Sequence, residues 1–323
     1  MNPIDLIDSS ATYLVTGGAG FIGSHLVENL LEGGASVRVL DDLSTGREEN
    51  LELFGDRIEV HRASVTDLDA CQRACEGVKA VFHEAALASV PRSVKDPVAT
   101  HDADATGTLN MLVAARDAGV ERFVYAGSSS AYGNTPTLPK VETMSTQPLS
   151  PYAVAKLCGE QYCGAFSASY GLHTVTLRYF NIFGPRQDPT SMYAGVIPIF
   201  ATMALRGEAA TIDGDGEQTR DFTHVSNAVE ANLRAAHVGG DESSGRTYNV
   251  GCGDRISINR LWEATRDAAG RSDLVASHGP TRTGDVRDSL ADLTAIRTDL
   301  GYEGHMTLEK GLEPTLDWYR SVV

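Results

Sequence analysis

The stretch YLVTGGAGFIGSHLVENLL, residues 13–31, constrains the fold more than any other. It reads as a strand, a cluster of glycines and an apolar-periodic helix. Gly17, Gly20 and Gly23 fit GxxGxxG, and Gly18, Gly20 and Gly23 also satisfy GxGxxG. Glycines so spaced permit a tight turn and bring backbone amides and a helix N-terminus against a pyrophosphate. Glycine-rich turns are common, so the flanks decide. Here a strand precedes, a helix follows, and the next strand, VRVLDD, ends in Asp41. A carboxylate there accepts hydrogen bonds from an adenosine ribose diol and repels a 2′-phosphate. The pattern predicts a dinucleotide site that takes NAD rather than NADP.

The same alternation continues through the first half. Strands are expected at 12–16, 37–41, 58–62, 80–84, 122–128 and 174–180, with helices at 20–32, 67–76, 97–118 and 151–169. Val-rich strands alternating with helices argue for an α/β fold with a doubly wound parallel sheet of the Rossmann kind. After residue 181 the rhythm changes to loops rich in Gly, Pro and Asp. Further helices are expected near 195–206, 225–237, 257–269 and 307–321, and RTYNVG (246–251) reads as a strand returning to the main sheet. The division expected is an NAD-binding domain over 11–180 plus about 223–252, and a smaller C-terminal substrate-binding lobe over about 181–222 and 253–323.

Charge narrows the partners. The 43 acids against 27 bases leave a net charge of −16, and only five of the bases are lysines. This balance argues against nucleic-acid binding over a broad basic surface. No apolar run approaches the roughly 18 residues that span a bilayer. The start, MNPIDLIDSS, lacks a basic region followed by an apolar run. A cytoplasmic protein without membrane partners is expected. The five cysteines are odd in number and form no CxxC, so they read as reduced thiols. His83, His101, His224 and His237 lack regular ligand spacing, and no metal site is expected.

The segment LSPYAVAKLCGEQY, residues 149–162, supplies candidate chemistry. Ser150 suits an N-cap and Pro151 the first helical position. Tyr152 and Lys156 then share one helix face. About twenty residues upstream, a strand ends in the hydroxyl cluster FVYAGSSSAYG. Strand ends and helix starts meet at the cofactor edge of such a sheet, so Ser128, Tyr152 and Lys156 can converge. A phenol with a pKa near 10 is a poor base at neutral pH. A nearby ammonium and a nicotinamide cation would bring it down.

TGGAGFIGSH, SSSAYG and YAVAK resemble the extended short-chain dehydrogenase/reductase family, in its nucleotide-sugar-modifying branch. The likeness runs from about residue 11 to 320. HEAALASVPRSVKDP, PLSPYAVAKL, LRYFNIFGPRQDP, GDGEQTRDF and RTGDVRDS are most similar to the UDP-N-acetylglucosamine 4-epimerases. The resemblance implies catalytic roles for Tyr152 as base, Lys156 as its pKa-lowering partner on the nicotinamide ribose, and Ser128 as the hydroxyl on the sugar's 4-oxygen. It implies cofactor contacts at Gly17, Gly20, Phe21, Ile22, Gly23, Asp41, Asp42, Ser44, Thr45, Gly46, Ser64, Val65, Ala85, Ala86, Asp104 and Tyr179, besides Tyr152 and Lys156. It implies UDP-sugar contacts at Ser89, Ser128, Ser129, Tyr152, Asn181, Gly195, Val196, Arg220, Arg282, Asp285 and Ser289. Two departures stand out. Ser64 replaces an Asp that contacts adenine in many relatives, and Asp104 replaces a frequent Asn. The implied activity is 4-epimerisation of UDP-sugars with tightly held NAD, through a 4-keto intermediate, in a homodimer formed through the helices near 97–118 and 151–169.

Other readings stay open at this point. A 4,6-dehydratase of the branch carries an Asp-Glu pair after the catalytic hydroxyl, where this chain has Ser129 and Ser130. A UDP-glucuronate epimerase or decarboxylase needs a cation near C6, and no residue in the sequence alone identifies one. An NAD-binding regulator without catalysis is opposed by the intact Ser/Tyr/Lys set.

Overall fold

The computed structural model describes residues 2–189, 195–281 and 287–323. Seven strands form one sheet: β1 (Thr12–Thr16), β2 (Ser36–Asp41), β3 (Ile58–Arg62), β4 (Ala80–His83), β5 (Arg122–Ser128), β6 (His173–Tyr179) and β7 (Arg246–Val250). Their order is β7-β6-β5-β4-β1-β2-β3, and every neighbouring pair is parallel. The expected return of 246–251 to the sheet is therefore found, beside β6. Strand order reverses between β1 and β4, and a crevice opens there beyond the carboxyl ends.

Both faces of the sheet are covered. Besides a single turn at Glu48–Glu52, the helices among the described residues are α1 (Phe21–Glu32), α2 (Leu68–Cys75), α3 (Val90–Lys95), α4 (Pro97–His101), α5 (Gly107–Asp117), α6 (Pro151–Tyr170), α7 (Val196–Arg206), α8 (Val225–His237), α9 (Ile258–Ala268), α10 (Thr294–Leu300) and α11 (Leu308–Val322). Leu26, Val27 and Leu30 of α1 and Val229 and Leu233 of α8 pack on one face with Tyr13, Val15 and Tyr248. Met111 and Leu112 of α5 and Cys163 and Phe166 of α6 pack on the other with Leu14, Val81 and Phe123. Cys71 and Cys75 lie in that second layer, and burial pushes both thiols up to about 12. A separate core joins Phe200 and Ala204 of α7 to Leu261 and Trp262 of α9 and Leu308 and Leu312 of α11. Ala291, Leu293, Ile296 and Leu300 pack instead on the layer that holds α1 and α8.

The helix expected over 97–118 is broken. A π turn at Asp102–Thr106 separates α4 from α5. It brings the Asp104 carboxylate within 2.7 Å of the Leu87 N–H, which the carboxylate accepts. The chain also packs tightly here, since a Cβ on Gly107 would stand 2.5 Å from Val65 Cγ2. The start of α6 follows the sequence expectation. Ser150 Oγ accepts the Ala153 N–H at 3.2 Å, Pro151 opens the helix, and Gly171 closes it with φ of 72°.

One ion pair secures α6 against β6. Arg178 donates to both Glu160 oxygens, at 2.8 and 2.6 Å, and both side chains are buried. The Arg178 guanidinium also lies 4.6 Å from the centre of the Tyr132 ring. Removing one partner leaves an uncompensated buried charge. Glu160→Ala is expected to lower unfolding stability by about 3–5 kcal/mol, read from urea denaturation.

Candidate active site

Two cavities meet at the carboxyl edge of the sheet. The first, of about 310 Å³, is lined by Gly17, Gly20, Phe21, Ile22 and Gly23, where β1 passes into α1. Asp41 at the end of β2, Asp42, Ser44, Thr45 and Gly46 after it, Ser64 and Val65 after β3, and Ala85 and Ala86 after β4 line it too. Gly17 has φ of +70°, and a Cβ there would stand 2.8 Å from the Ala85 nitrogen. A Cβ on Gly23 would stand 2.1 Å from the Gly17 carbonyl oxygen. Only glycine allows this close approach of the loop to α1.

Asp41 is buried at the end of β2, with Oδ2 accepting the Ala19 N–H at 2.9 Å and Oδ1 the Leu43 N–H at 2.8 Å. Burial raises its pKa, while these two donors pull it down. Each oxygen retains a second lone pair for a ribose diol. With a glycine cradle at one end and this carboxylate at the other, the crevice fits NAD. Asp104 stands apart. It is fully buried, lines neither cavity, and leaves Oδ2 without a partner among the described residues.

The second cavity, of about 470 Å³, is lined by Ser128, Ser129, Tyr152, Lys156, Tyr179, Asn181, Arg220 and Ser289. It shares Phe21, Ile22, Glu84 and Ala86 with the first. The expected trio thus lines this second cavity. Ser89 and Gly195, expected at the sugar, line the first cavity, and Val196 lines neither. Arg282 and Asp285 lie outside the described residues.

Ser128 ends β5, with its Oγ 2.8 Å from Ser130 Oγ and accepting the Ser130 N–H at 3.2 Å. Lys156 is buried, its Nζ donates to the Ala126 carbonyl at 2.9 Å and lies 5.1 Å from the centre of the Tyr125 ring. Burial lowers the lysine's pKa, whereas the Asp104 and Glu84 carboxyls pull it up. The phenol differs from the sequence expectation. Burial first, and then the charge of Asp104, push the Tyr152 pKa above its ordinary value, while the Ser128 hydroxyl pulls it down. The spacing of four residues put Tyr152 and Lys156 on one face but could not reveal two buried carboxyls beside them.

Residues 13–251 match the NAD dependent epimerase/dehydratase family. The chain belongs to that family. It is 40% identical over 312 residues to the UDP-glucose 4-epimerase of Mycolicibacterium smegmatis, covering 95% of this chain and 98% of the relative. The solved UDP-N-acetylglucosamine 4-epimerase of Methanobrevibacter ruminantium, in complex with UDP-N-acetylmuramic acid, is 36% identical. It superposes with a TM-score of 0.92 over 97% of this chain and 99% of the other. The Thermus thermophilus UDP-glucose 4-epimerase in complex with NAD is 36% identical, with a TM-score of 0.86 over 97% of this chain and all (100%) of the other. This chain is an NAD-dependent enzyme of the epimerase type.

Within this epimerase/dehydratase fold, three further residues shape the site that the sequence alone did not single out. Glu84 lies on the wall common to both cavities. Lys140 is buried on the wall of the second, where its Nζ donates to the carbonyl and hydroxyl of Thr135. Asp221, fully buried, accepts the N–H groups of Cys252, Gly253 and Ala291 at 2.8, 3.1 and 3.1 Å. It ties the loop after β7 to the segment carrying Ser289. Burial raises its pKa to about 6 against these three donors. Among the described residues, no group of three or more His, Cys, Asp or Glu is placed to hold a metal ion. No helix among them is long and apolar enough to cross a membrane.

Proposed function

We propose that the protein interconverts UDP-sugars epimeric at C4, taking UDP-GlcNAc and UDP-GalNAc and also UDP-Glc and UDP-Gal. The observation that carries the reading is the convergence of Ser128, Tyr152 and Lys156 in one cavity that opens directly onto the dinucleotide crevice. In this assignment Ser128 holds the sugar's 4-oxygen and Tyr152 removes its proton. Lys156, whose ammonium form the Asp104 and Glu84 carboxyls favour against burial, holds the nicotinamide ribose. Bound NAD⁺ supplies a hydride acceptor at C4 and a positive charge next to the phenol. Asn181 and Arg220 grip the UDP moiety while the flat 4-keto sugar turns over and takes hydride on its other face. The division of labour proposed is NAD binding by 11–180 with about 223–252, and UDP-sugar binding by about 181–222 and 253–323. Incubating the protein with UDP-GlcNAc and, separately, UDP-Glc, and reading products by NMR, tests the reading. Formation of the 4-epimer supports it; a 4-keto-6-deoxy product or no turnover overturns it.

Lys140 favours a second reading. A buried ammonium on the sugar wall is the kind of group that a carboxylated sugar requires near C6, and burial lowers its pKa. UDP-glucuronate belongs in the same assay. Turnover of it in place of the neutral sugars would move the assignment to UDP-uronates.

We further propose a homodimer. Val94 of α3, Val98 of α4 and Val154 of α6 are exposed at 67%, 68% and 51% on helices that pack side by side. Such an apolar face on charged surroundings suits a partner of the same kind. Light scattering is expected to give the dimer mass, and Val94→Glu with Val98→Glu the monomer mass. A wild-type monomer at working concentration refutes the proposal.

A further inference from the structure

Glu84 follows β4 directly and is the acid where the two cavities meet. Tyr179, at the end of β6, donates its phenol proton to Glu84 Oε1 at 2.7 Å. Asn232 of α8 donates to the same Tyr179 oxygen at 2.6 Å and back-bonds to the Ala228 carbonyl at 2.9 Å. A residue from a strand and one from a distant helix thus hold one carboxyl at the reaction chamber.

We propose that Glu84 is a positioning residue for the reaction: it orients Tyr179 in the cavity it lines together with Tyr152 and Lys156, and its charge governs how readily Tyr152 releases its proton. The proposal rests on Tyr152 being the base. Among the described residues, Glu84 accepts from Tyr179 of β6, which Asn232 of α8 holds from behind, and it lines one cavity with Lys156 and Tyr152 of α6. Asp104, on the π turn, faces the same Lys156 and Tyr152.

The charges explain why Glu84 matters. One ammonium, Lys156, stands among Glu84, Asp104 and Tyr152, three groups that are each negative when ionised. They cannot all ionise cheaply in a buried place, so the protons of the cluster come off as coupled steps. Burial raises the Glu84 carboxyl to about 7, against the lowering influence of Tyr179 and Lys156. Below that pH the group is neutral and leaves the phenol undisturbed. Above it, the new negative charge opposes ionisation of Tyr152.

Glu84→Gln keeps the shape and the acceptor oxygen for Tyr179 but cannot ionise. In the NAD-loaded protein, the tyrosinate absorbance that Tyr152→Phe abolishes is expected to titrate at least about half a pH unit lower in Glu84→Gln than in the parent. The rising limb of kcat against pH moves the same way, with KM for the UDP-sugar changed less than twofold. Glu84→Asp retains the charge and is expected to keep the parent's titration. An unmoved or higher titration in Glu84→Gln, or a Glu84→Asp profile lowered like that of Glu84→Gln, overturns the proposal. If instead Tyr152→Phe turns over normally, it is the base assignment that fails.

Discussion

Tyr152→Phe is expected to keep its fold and its bound NAD and to turn over UDP-sugars at least about a hundredfold more slowly than the parent. The phenol sits in the first turn of α6 on the wall shared with Ser128 and Lys156. Phenylalanine fills the same space, so the packing of α6 on β5 and β6 is undisturbed. What is lost is the hydroxyl to which the proposed function assigns removal of the 4-hydroxyl proton. The direction of the tyrosine's pKa makes the loss severe. Burial and Asp104 push the phenol's pKa up while the Ser128 hydroxyl pulls it down, so ionisation of Tyr152 is the step expected to set the pH dependence. The neighbouring Ser128 and Ser129 are weaker bases still. Turnover in the parent accordingly rises with pH through the neutral range, and the residual rate of the variant does not follow that limb. Steady-state kinetics with NAD quantified after denaturation reads both results. Near-normal turnover removes Tyr152 as the base.

The sequence made the cofactor crevice legible because its parts are local. Three glycines, the helix after them and the acid ending the next strand lie within thirty residues, and their spacing is itself the geometry. Fourteen positions expected there, from Gly17 through Ala86, line the first cavity. The trio was legible for a related reason: Ser128 ends a strand and Tyr152 begins a helix, and those ends share an edge in any doubly wound sheet. What escaped depends on contacts far apart in the chain. Glu84 is one acid beside an apolar strand until Tyr179 and Asn232 close on it. Lys140 is one of five lysines until its backbone N–H bonds to the Leu290 carbonyl and its side chain is buried. The π turn is invisible to helical periodicity, since one extra residue per turn alters the pattern too little over five positions. Ser89 lines the first cavity, where its hydroxyl caps α3 by accepting the Arg92 N–H.

Ser289→Tyr is expected to lower turnover of UDP-GlcNAc by at least about a hundredfold while sparing UDP-Glc within a few-fold. Ser289 is buried and lines the cavity that holds the trio. Its position is held from both sides. The Ser289 N–H donates to the Thr219 carbonyl at 3.1 Å, and the neighbouring Asp288 accepts the Thr219 hydroxyl at 2.5 Å and pairs with Arg255 at 3.5 Å. Lys140, whose N–H bonds to Leu290, closes the other flank. A side chain placed here cannot swing away with its backbone, so a tyrosine ring must take its volume from the cavity. A 4-epimerase presents both faces of the sugar in turn, and an N-acetyl group needs clearance in either orientation. A hydroxyl at C2 needs little. The ring therefore acts by exclusion, which discriminates more strongly than the loss of a favourable contact. Ser289→Ala, which changes volume hardly at all, is expected to keep both activities and separates steric gating from hydrogen bonding by the serine. Competition between the two substrates in one tube, read by NMR, gives the ratio directly. If Ser289→Tyr handles UDP-GlcNAc as the parent does, the ring has found room elsewhere and another residue sets the size of the pocket.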